Sequence, residues 1–339
     1  MQRKGCAAAI LEDKNMKKLM TILVLALALC VAGTAMAETV FQLGTTVNEQ
    51  DSFQVAAEKF AKLVAERTNG EYKIEIYPNG TLGGESDMLD SMSMGMLDMG
   101  IITSGPFVNF SEMMGVLDMP YLFATNEEAY EILDGEIGQE LLTTLEEAGL
   151  KGLAYAERGF RNVTNSVRPV TCAEDLKGLK LRVMENEVYT ATFKALGVNA
   201  VPMAWAEALT AMQQGTIEGQ ENPVNVMYSY GLWDYGQKYA TFDRHSYATA
   251  IITMSLDVYN TLDEATQEIF KQAAQEAAEF ERAWVAEQEA GQLQALKDNG
   301  MEIVENPDVD SFRTAVQPVY DAYPQFAEYI ELIQAALAE

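Results

Sequence analysis

Histidine, cysteine and basic residues are all scarce in this chain of 339 residues. There is one histidine, His245, and there are three cysteines, Cys6, Cys30 and Cys172. Two of the cysteines fall in an N-terminal stretch that reads as a leader, so Cys172 alone remains for the rest of the chain and has no partner for an internal disulfide. No His/Cys cluster is available for zinc, and a nucleophile activated by histidine has one candidate base. Cys172 precedes Ala173-Glu174-Asp175 with no histidine nearby and reads as a small buried apolar residue. Lys and Arg number 23 against 51 Asp and Glu, a formal net charge of −28. That balance excludes a basic face for nucleic acid. Internal repeats, low-complexity tracts and long Pro/Ser linkers are missing too, so any two lobes must be joined by short crossovers.

The one long apolar run is Leu19 to Val31, preceded by Lys17 and Lys18 and followed by the small-residue pattern Ala35-Met36-Ala37. At thirteen residues it is shorter than the roughly 20 needed to span a bilayer, so a secretory leader over residues 1–37 is expected, cleaved after Ala37. Leu29 is too large for a lipidation site at Cys30. Met1 to Asn15 reads as an upstream mis-start, with Met16 the natural beginning. Removing residues 1–37 takes away five basic and two acidic residues and leaves 18 and 49, a formal net charge of −31. A chain this negative repels anions over roughly a Debye length, ~8 Å. To hold one it needs a few local cations.

The remaining 302 residues suffice for about two domains. Phe53, Ala56, Ala57, Phe60, Ala61 and Val64 repeat with helical spacing between Ser52 and Thr68, the pattern of a helix lying on a sheet. Runs at Val40–Leu43, Tyr72–Tyr77 and Met99–Ile102, separated by Asn69-Gly70 and Pro78-Asn79-Gly80, predict strands alternating with helices and hence a largely parallel sheet. Met88, Leu89, Met92 and Met96 read as core filler rather than a soft-metal box. The aromatic stretch Tyr228, Tyr230, Trp233, Tyr235 and Tyr239 lines a pocket or packs a helix on the sheet. From Asp263 to about Asn299 the chain lacks Pro and has only Gly291, which allows one helix of up to 37 residues or two helices broken near that glycine.

Eight arginines lie beyond residue 37, and four of them, at 158, 161, 168 and 182, fall within 25 residues. Leu179, Leu181 and Val183 alternate with Lys180, Arg182 and Met184, so a strand burying its Leu/Val face turns Arg182 to the other side. A guanidinium offers a planar pair of donors that matches a carboxylate. From the residues alone, Arg182 is as consistent with a ligand clamp as with a structural ion pair. Pro223 biases Asn222 to an extended backbone, aiming its amide out of a strand end.

In order, the chain carries IYPNGTLGGESDML (76–89), GMLDMG (95–100), LDMPYLF (117–123), GFRNVTNSVRP (159–169), LKGLKLRV (176–183), PMAWAE (202–207) and GQENP (219–223). These segments, spread over nearly all of the chain after the leader, resemble the substrate-binding proteins of TRAP transporters, the tripartite ATP-independent periplasmic family. The resemblance implies an α/β, two-lobed periplasmic-binding-protein fold, each lobe a mostly parallel sheet flanked by helices, with a long helix spanning both. Lobe I is expected over 38–160 and about 249–289, and lobe II over about 161–248 and 290–339. It also implies a monomeric, non-catalytic receptor in the periplasm, without cofactor or metal. That receptor captures a small organic acid and delivers it to a permease of one small and one large membrane subunit.

By the same resemblance, Arg182 clamps a carboxylate, Arg161 is a second ligand-side arginine, Asn222 donates to the carboxylate and Trp205 packs against the ligand. Thr46, Thr103 and Ser104 fall beyond strand ends, where contacts vary. Glu185 stands where some relatives have a neutral amide, favouring a hydroxylated or amine-bearing ligand. His245 reaches the cleft or is a satisfied histidine at a strand start; Arg158 and Arg168 are expected to be structural, with Gln220 and Glu221 holding their loop. Three other functions use the same residues less fully: a ligand sensor, the receptor of an ATP-driven uptake system, and a secreted hydrolase or lyase.

Overall fold

The computed structural model describes residues 38–338. The expected leader, its cleavage after Ala37 and Cys30 lie outside them. The strands are β1 (Thr39–Gly44), β2 (Tyr72–Tyr77), β3 (Met99–Thr103), β4 (Leu150–Asn165), β5 (Lys180–Val183), β6 (Asn199–Pro202), β7 (Gly219–Asn222), β8 (Tyr239–Ser255) and β9 (Glu302–Val304). They form a single sheet in the order β2-β1-β3-β8-β4-β7-β5-β6, with β9 paired to β8. Both ends of the sheet are parallel, β1 with β2 and β3, and β5 with β6 and β7. The middle is not. The 16-residue β4 and 17-residue β8 run antiparallel to each other, to β7 and to β3 respectively. These two strands carry the chain from one half of the sheet to the other.

Their pairing is irregular where the halves meet. The β4–β8 register shifts between Glu157 and Gly159 and again between Arg161 and Val163. Gly159 takes φ +98° and Arg244, on the facing strand, takes φ +49°. A left-handed backbone is ordinary for glycine and uncommon for arginine, so the crossing is a place where each strand is bent by local conformation.

The helices flanking the sheet are α1 (Ser52–Arg67), α2 (Glu85–Ser93), α3 (Asn126–Asp134), α4 (Glu136–Thr143), α5 (Glu187–Ala195), α6 (Trp205–Gln213), α7 (Val224–Ser229), α8 (Leu256–Tyr259), α9 (Glu264–Asp298), α10 (Val309–Ala322) and α11 (Ala327–Ala336). α1 begins at Asp51, whose carboxylate accepts from Phe53 N at 3.1 Å, and buries Phe53, Ala56, Ala57, Phe60 and Val64 as its spacing predicts. α9 runs unbroken through Gly291 for 35 residues, about 52 Å at 1.5 Å per residue, so the alternative of two helices is wrong. Its buried stripe includes Phe270, Ala273, Ala274, Ala277 and Ala278, and Phe270 meets Phe41 and Phe60 edge to face. Farther along α9, Glu281 accepts from Glu157 N at 2.9 Å, and Arg282 donates to Asp134 at 2.9 Å and to Tyr155 O at 2.6 Å. The helix is thereby tied to β4 just ahead of the bend. Among the described residues, no helix is long and apolar enough to cross a membrane.

The minor expectations divide. Met88, Leu89 and Met92 are core, whereas Met96 is 69% exposed. Trp233 and Tyr235 pack in the cluster that holds Met212 of α6 and Leu296 of α9. Cys172 is half-buried rather than buried, because it caps the short turn at 173–176 and its N–H donates to Asp175.

Strand β7 carries two of the site's residues and depends on Gly219. A Cβ there would lie 2.1 Å from Thr164 O and 2.9 Å from Asn165 Cα, both backbone atoms of β4. Gly219→Ala is expected to destabilise the protein by about 3 kcal/mol, as overpacking against backbone does. Urea denaturation checks this, and a loss below about 1 kcal/mol would show that β7 is free to shift.

Candidate functional site

Arginine and carboxylate side chains converge where β5 and β7 end beside the interior of β4. In β5, Leu181 and Val183 face the core and Arg182 projects the other way, as the alternation predicts. Arg182 is nevertheless only 4% exposed. Its Nε donates to Met203 O at 2.8 Å, its guanidinium carbon stands 5.7 Å from the Trp205 ring centroid, and among the described residues it makes no ion pair. Burial pulls its pKa down to about 10, and Arg161 adds to that against the pull of Glu221 and Glu85. A desolvated cation without a partner is costly to keep.

Arg161, the second expected ligand arginine, is in a different situation. Its Nε and Nη2 grip the Glu221 carboxylate bidentately, Nη2 to Oε1 at 2.8 Å, and Nη2 also donates to the Glu221 carbonyl at 2.6 Å. The same carboxylate meets His245 Nε2 at 3.2 Å, and His245 Nδ1 meets Asp243 Oδ2 at 2.8 Å. Asp243 Oδ1 in turn accepts from Val163 N at 3.0 Å. All four side chains are buried. Burial works against a charged imidazole, yet Asp243 and Glu221 outweigh it and lift His245 to about 9. Burial also pushes Glu221 up, and Arg161 and His245 together bring it well below the usual carboxylate range. The chain Arg161, Glu221, His245, Asp243 thus alternates in sign and sums to zero. Arg158 is neutralised separately, by Asp51 at 2.7 Å. Of the three arginines, Arg182 is the one without an ion pair among the described residues, and Glu85 faces it across the cavity.

The three arginines, with Trp205 and Asn222, face Thr46, Thr103 and Glu85 across a cavity of about 20 Å³. Arg161, Arg182, Trp205 and Asn222 come from the β5–β7 half of the sheet and Thr46, Thr103 and Glu85 from the β1–β3 half, with Arg158 just ahead of the crossing and paired to Asp51. Asn222 Nδ2 donates to Gln220, whose own amide donates to Thr164 at 2.8 Å, so the amide is held in place from behind. Trp205 meets Tyr230 edge to face at 5.1 Å.

The structure therefore brings together Arg182, Arg161, Asn222, Trp205, Thr46 and Thr103. It sets three other expected residues outside the cavity wall. Ser104 is buried and donates to Asp118 Oδ1 at 2.8 Å. Glu185 is exposed and meets Ser86 Oγ at 3.4 Å. His245 is the satisfied histidine of the two readings, behind Glu221 with both ring nitrogens engaged.

Glu85, Arg158 and Met184 line the cavity without having been expected there. Glu85 opens α2, directly after Gly83-Gly84, and its Oε1 accepts from Thr103 N at 2.9 Å. An acid at a helix start is favoured for its own sake, which is why its sequence position carries no mark of a site. Among the described residues, no group of three or more His, Cys, Asp or Glu is arranged to hold a metal ion.

Comparison with known proteins gives concordant results. The family description bacterial extracellular solute-binding protein, family 7, matches residues 43–326. A solute-binding protein of Verminephrobacter eiseniae is 40% identical over 84% of this chain and 85% of its own. The 2,3-diketo-L-gulonate-binding periplasmic protein of Escherichia coli is 35% identical over 90% and 96%. A crystal structure of a TRAP periplasmic solute-binding protein from a Polaromonas species, bound to D-erythronate, superposes with a TM-score of 0.86 at 40% identity, covering 88% of this chain and 99% of that one. The sugar-acid-binding protein of Advenella mimigardefordensis in complex with galactonate gives 0.85 at 29% identity, covering 88% and 97%.

The buried charges make stability fall with alkalinity. Burial raises Asp118 to about 7, Glu157 to about 7 and Glu281 to about 8 from ordinary values near 4. An acid whose folded pKa is raised loses stability as pH climbs from its unfolded value through the folded one. His245, raised from 6.5 to about 9, stabilises fully below 6.5 and loses that contribution as pH rises through 9. Glu221 acts in the other direction, its contribution vanishing only as pH falls below 4.5 toward 2. The melting temperature should therefore peak at about pH 4 to 4.5 and decline toward pH 9.5. A melting temperature that rises from pH 6 to pH 9 would contradict this.

Proposed function

The chain belongs to family 7 of the bacterial extracellular solute-binding proteins, the TRAP type, and we propose that it captures a small polyhydroxylated monocarboxylate in the periplasm and delivers it to a membrane permease. The observation that carries this reading is Arg182, a buried guanidinium that donates to Met203 O but, among the described residues, has no ion pair, beside the paired Arg161–Glu221–His245–Asp243 chain. A carboxylate between Arg182 and the amide of Asn222 supplies the missing negative charge and two parallel hydrogen bonds. Arg161, pinned by Glu221, adds positive potential at a fixed place, with Thr46, Thr103 and Trp205 closing around the ligand's carbon chain. His245 and Asp243 serve the site from behind by holding Glu221. Nothing in this arrangement calls for a chemical step on the ligand.

Glu85 narrows the ligand class. It faces the arginines from the opposite half, and Thr103 occupies one of its oxygens. A second carboxylate on the ligand meets this acid unfavourably, whereas a hydroxyl donates to it. The relatives named for D-erythronate, galactonate and 2,3-diketo-L-gulonate all carry hydroxylated acids. A cavity of about 20 Å³ holds about one water, less than any such acid. Entry therefore requires the halves to part, and we assign them as the two lobes, 38–160 with about 249–289 and about 161–248 with 290–339. The irregular crossing at Gly159 and Arg244 and the long α9 are where the bending falls. Delivery goes to the small and large permease subunits of the TRAP system.

Calorimetry with erythronate, galactonate, malate, succinate and erythritol tests the proposal. The two aldonates should bind, the dicarboxylates should bind at least tenfold more weakly, and erythritol should not bind. Glu85→Gln should cost the aldonates about tenfold, the loss of one hydrogen bond to a charged acceptor. Preference for succinate over both aldonates would refute the hydroxy-acid assignment, and binding of erythritol would refute the carboxylate site altogether.

A further inference from the structure

A second cavity of about 350 Å³ opens between α9, α7 and the bent stretch of β4 and β8, sharing only Arg158 with the clasp described above. Asn225 of α7 lines it. Asn225 is 3% exposed, and neither its Nδ2 nor its Oδ1 has a hydrogen-bond partner. Buried primary amides are paired as a rule, so this donor and acceptor mark a position built for something polar. The charges around it are unequal. Glu157 is 2% exposed, its carboxylate held by the Tyr130 hydroxyl and by Asn126 Nδ2 at 3.2 Å. Glu127 and Glu289 stand at the exposed rim. Against the two rim carboxylates, Arg158 is spent on Asp51, and of the cavity's lining cations only Arg244 remains, its guanidinium 3.9 Å above the Phe160 ring.

We propose that this cavity is a second ligand site that takes a small organic ammonium ion, with Asn225 Oδ1 accepting from its N–H groups and Glu289 and Glu127 at the rim compensating its charge. Phe160 and Val285 supply an apolar wall for the carbon chain. Such an occupant touches α9, β4 and β8 together at the crossing, so it is placed to bias any bending there. The proposal concerns a different set of residues from the acid clasp and stands or falls apart from it.

Thermal melting and calorimetry at fixed ionic strength, with putrescine and ethanolamine as probes and ethylene glycol as the uncharged control, test it on the full chain after leader removal. The ammonium probes should bind and raise the melting temperature, and the glycol should do neither. Glu289→Gln changes an exposed rim residue without touching the core and should weaken putrescine about two- to fivefold. Asn225→Leu should weaken it about tenfold or more and raise the melting temperature without probe, since it removes an unpaired buried amide. Acid binding in the clasp should persist in both variants. Absence of ammonium binding, or binding that neither variant alters, overturns the site; if Asn225→Leu does not fold, the Glu289→Gln result alone decides.

Discussion

The site depends on a charge balance that is complete except for one residue. Four buried side chains, Arg161, Glu221, His245 and Asp243, alternate in sign along a path of hydrogen bonds, and each is held by its neighbour. Removing any one leaves a buried charge uncompensated, which typically costs about 3–5 kcal/mol. The chain therefore fixes the positions of Arg161 and of the β7 strand that carries Asn222. Arg182 lies beside this chain without belonging to it. Its burial depresses its pKa without neutralising it, so it remains a cation at physiological pH and lacks a counter-ion. On the function proposed above, an anion from outside supplies that counter-ion.

The two long strands explain how opposite halves of the molecule share that cation. β4 carries Arg158 and Arg161, β8 carries His245 and Asp243, and both strands continue into the half that supplies Thr46, Glu85 and Thr103. Two of the three register shifts in the β4–β8 ladder, and the left-handed residues Gly159 and Arg244, fall within one to three residues of these side chains, the third shift lying between Gly152 and Ala154. In the bending proposed above, the distance between Arg182 and Glu85 changes while the Arg161–Glu221 grip, which is internal to one half, stays intact.

Much of this was legible in the sequence, for stated reasons. The helical period at 52–68 and the alternation at 179–183 report burial on one face, and both elements form as expected. The absence of proline from 263 to 299 allowed one long helix or two broken near Gly291, and the helix is continuous because that glycine is solvent-facing and surrounded by strong helix formers. The antiparallel centre of the sheet was not legible, because a strand buried on both faces has no two-residue period to read. Arg182 and Arg161 look alike in sequence. Their difference, free against paired, lies in the contact of Arg161 with Glu221, 60 positions later. Ser104 has the right residue type and faces the wrong way by one position, a distinction set by backbone register, whereas His245 stands behind Glu221 with both ring nitrogens engaged. Glu85 was missed because an acid at a helix start needs no function to explain it.

The central claim is that Arg182 is a ligand clamp and contributes nothing to folding, whereas Arg161 is part of the folded charge chain. Ligand affinity and the ligand-free melting temperature, measured together on Arg182→Ala and Arg161→Ala with an aldonate as ligand, test it directly. Arg182→Ala should lose about 2–5 kcal/mol of binding, roughly 30- to 5,000-fold in Kd, with an unchanged or higher melting temperature. Arg161→Ala should lower the melting temperature sharply, because it strands Glu221 in the interior. An Arg182→Ala protein that folds and binds the aldonate with unchanged affinity would contradict the account.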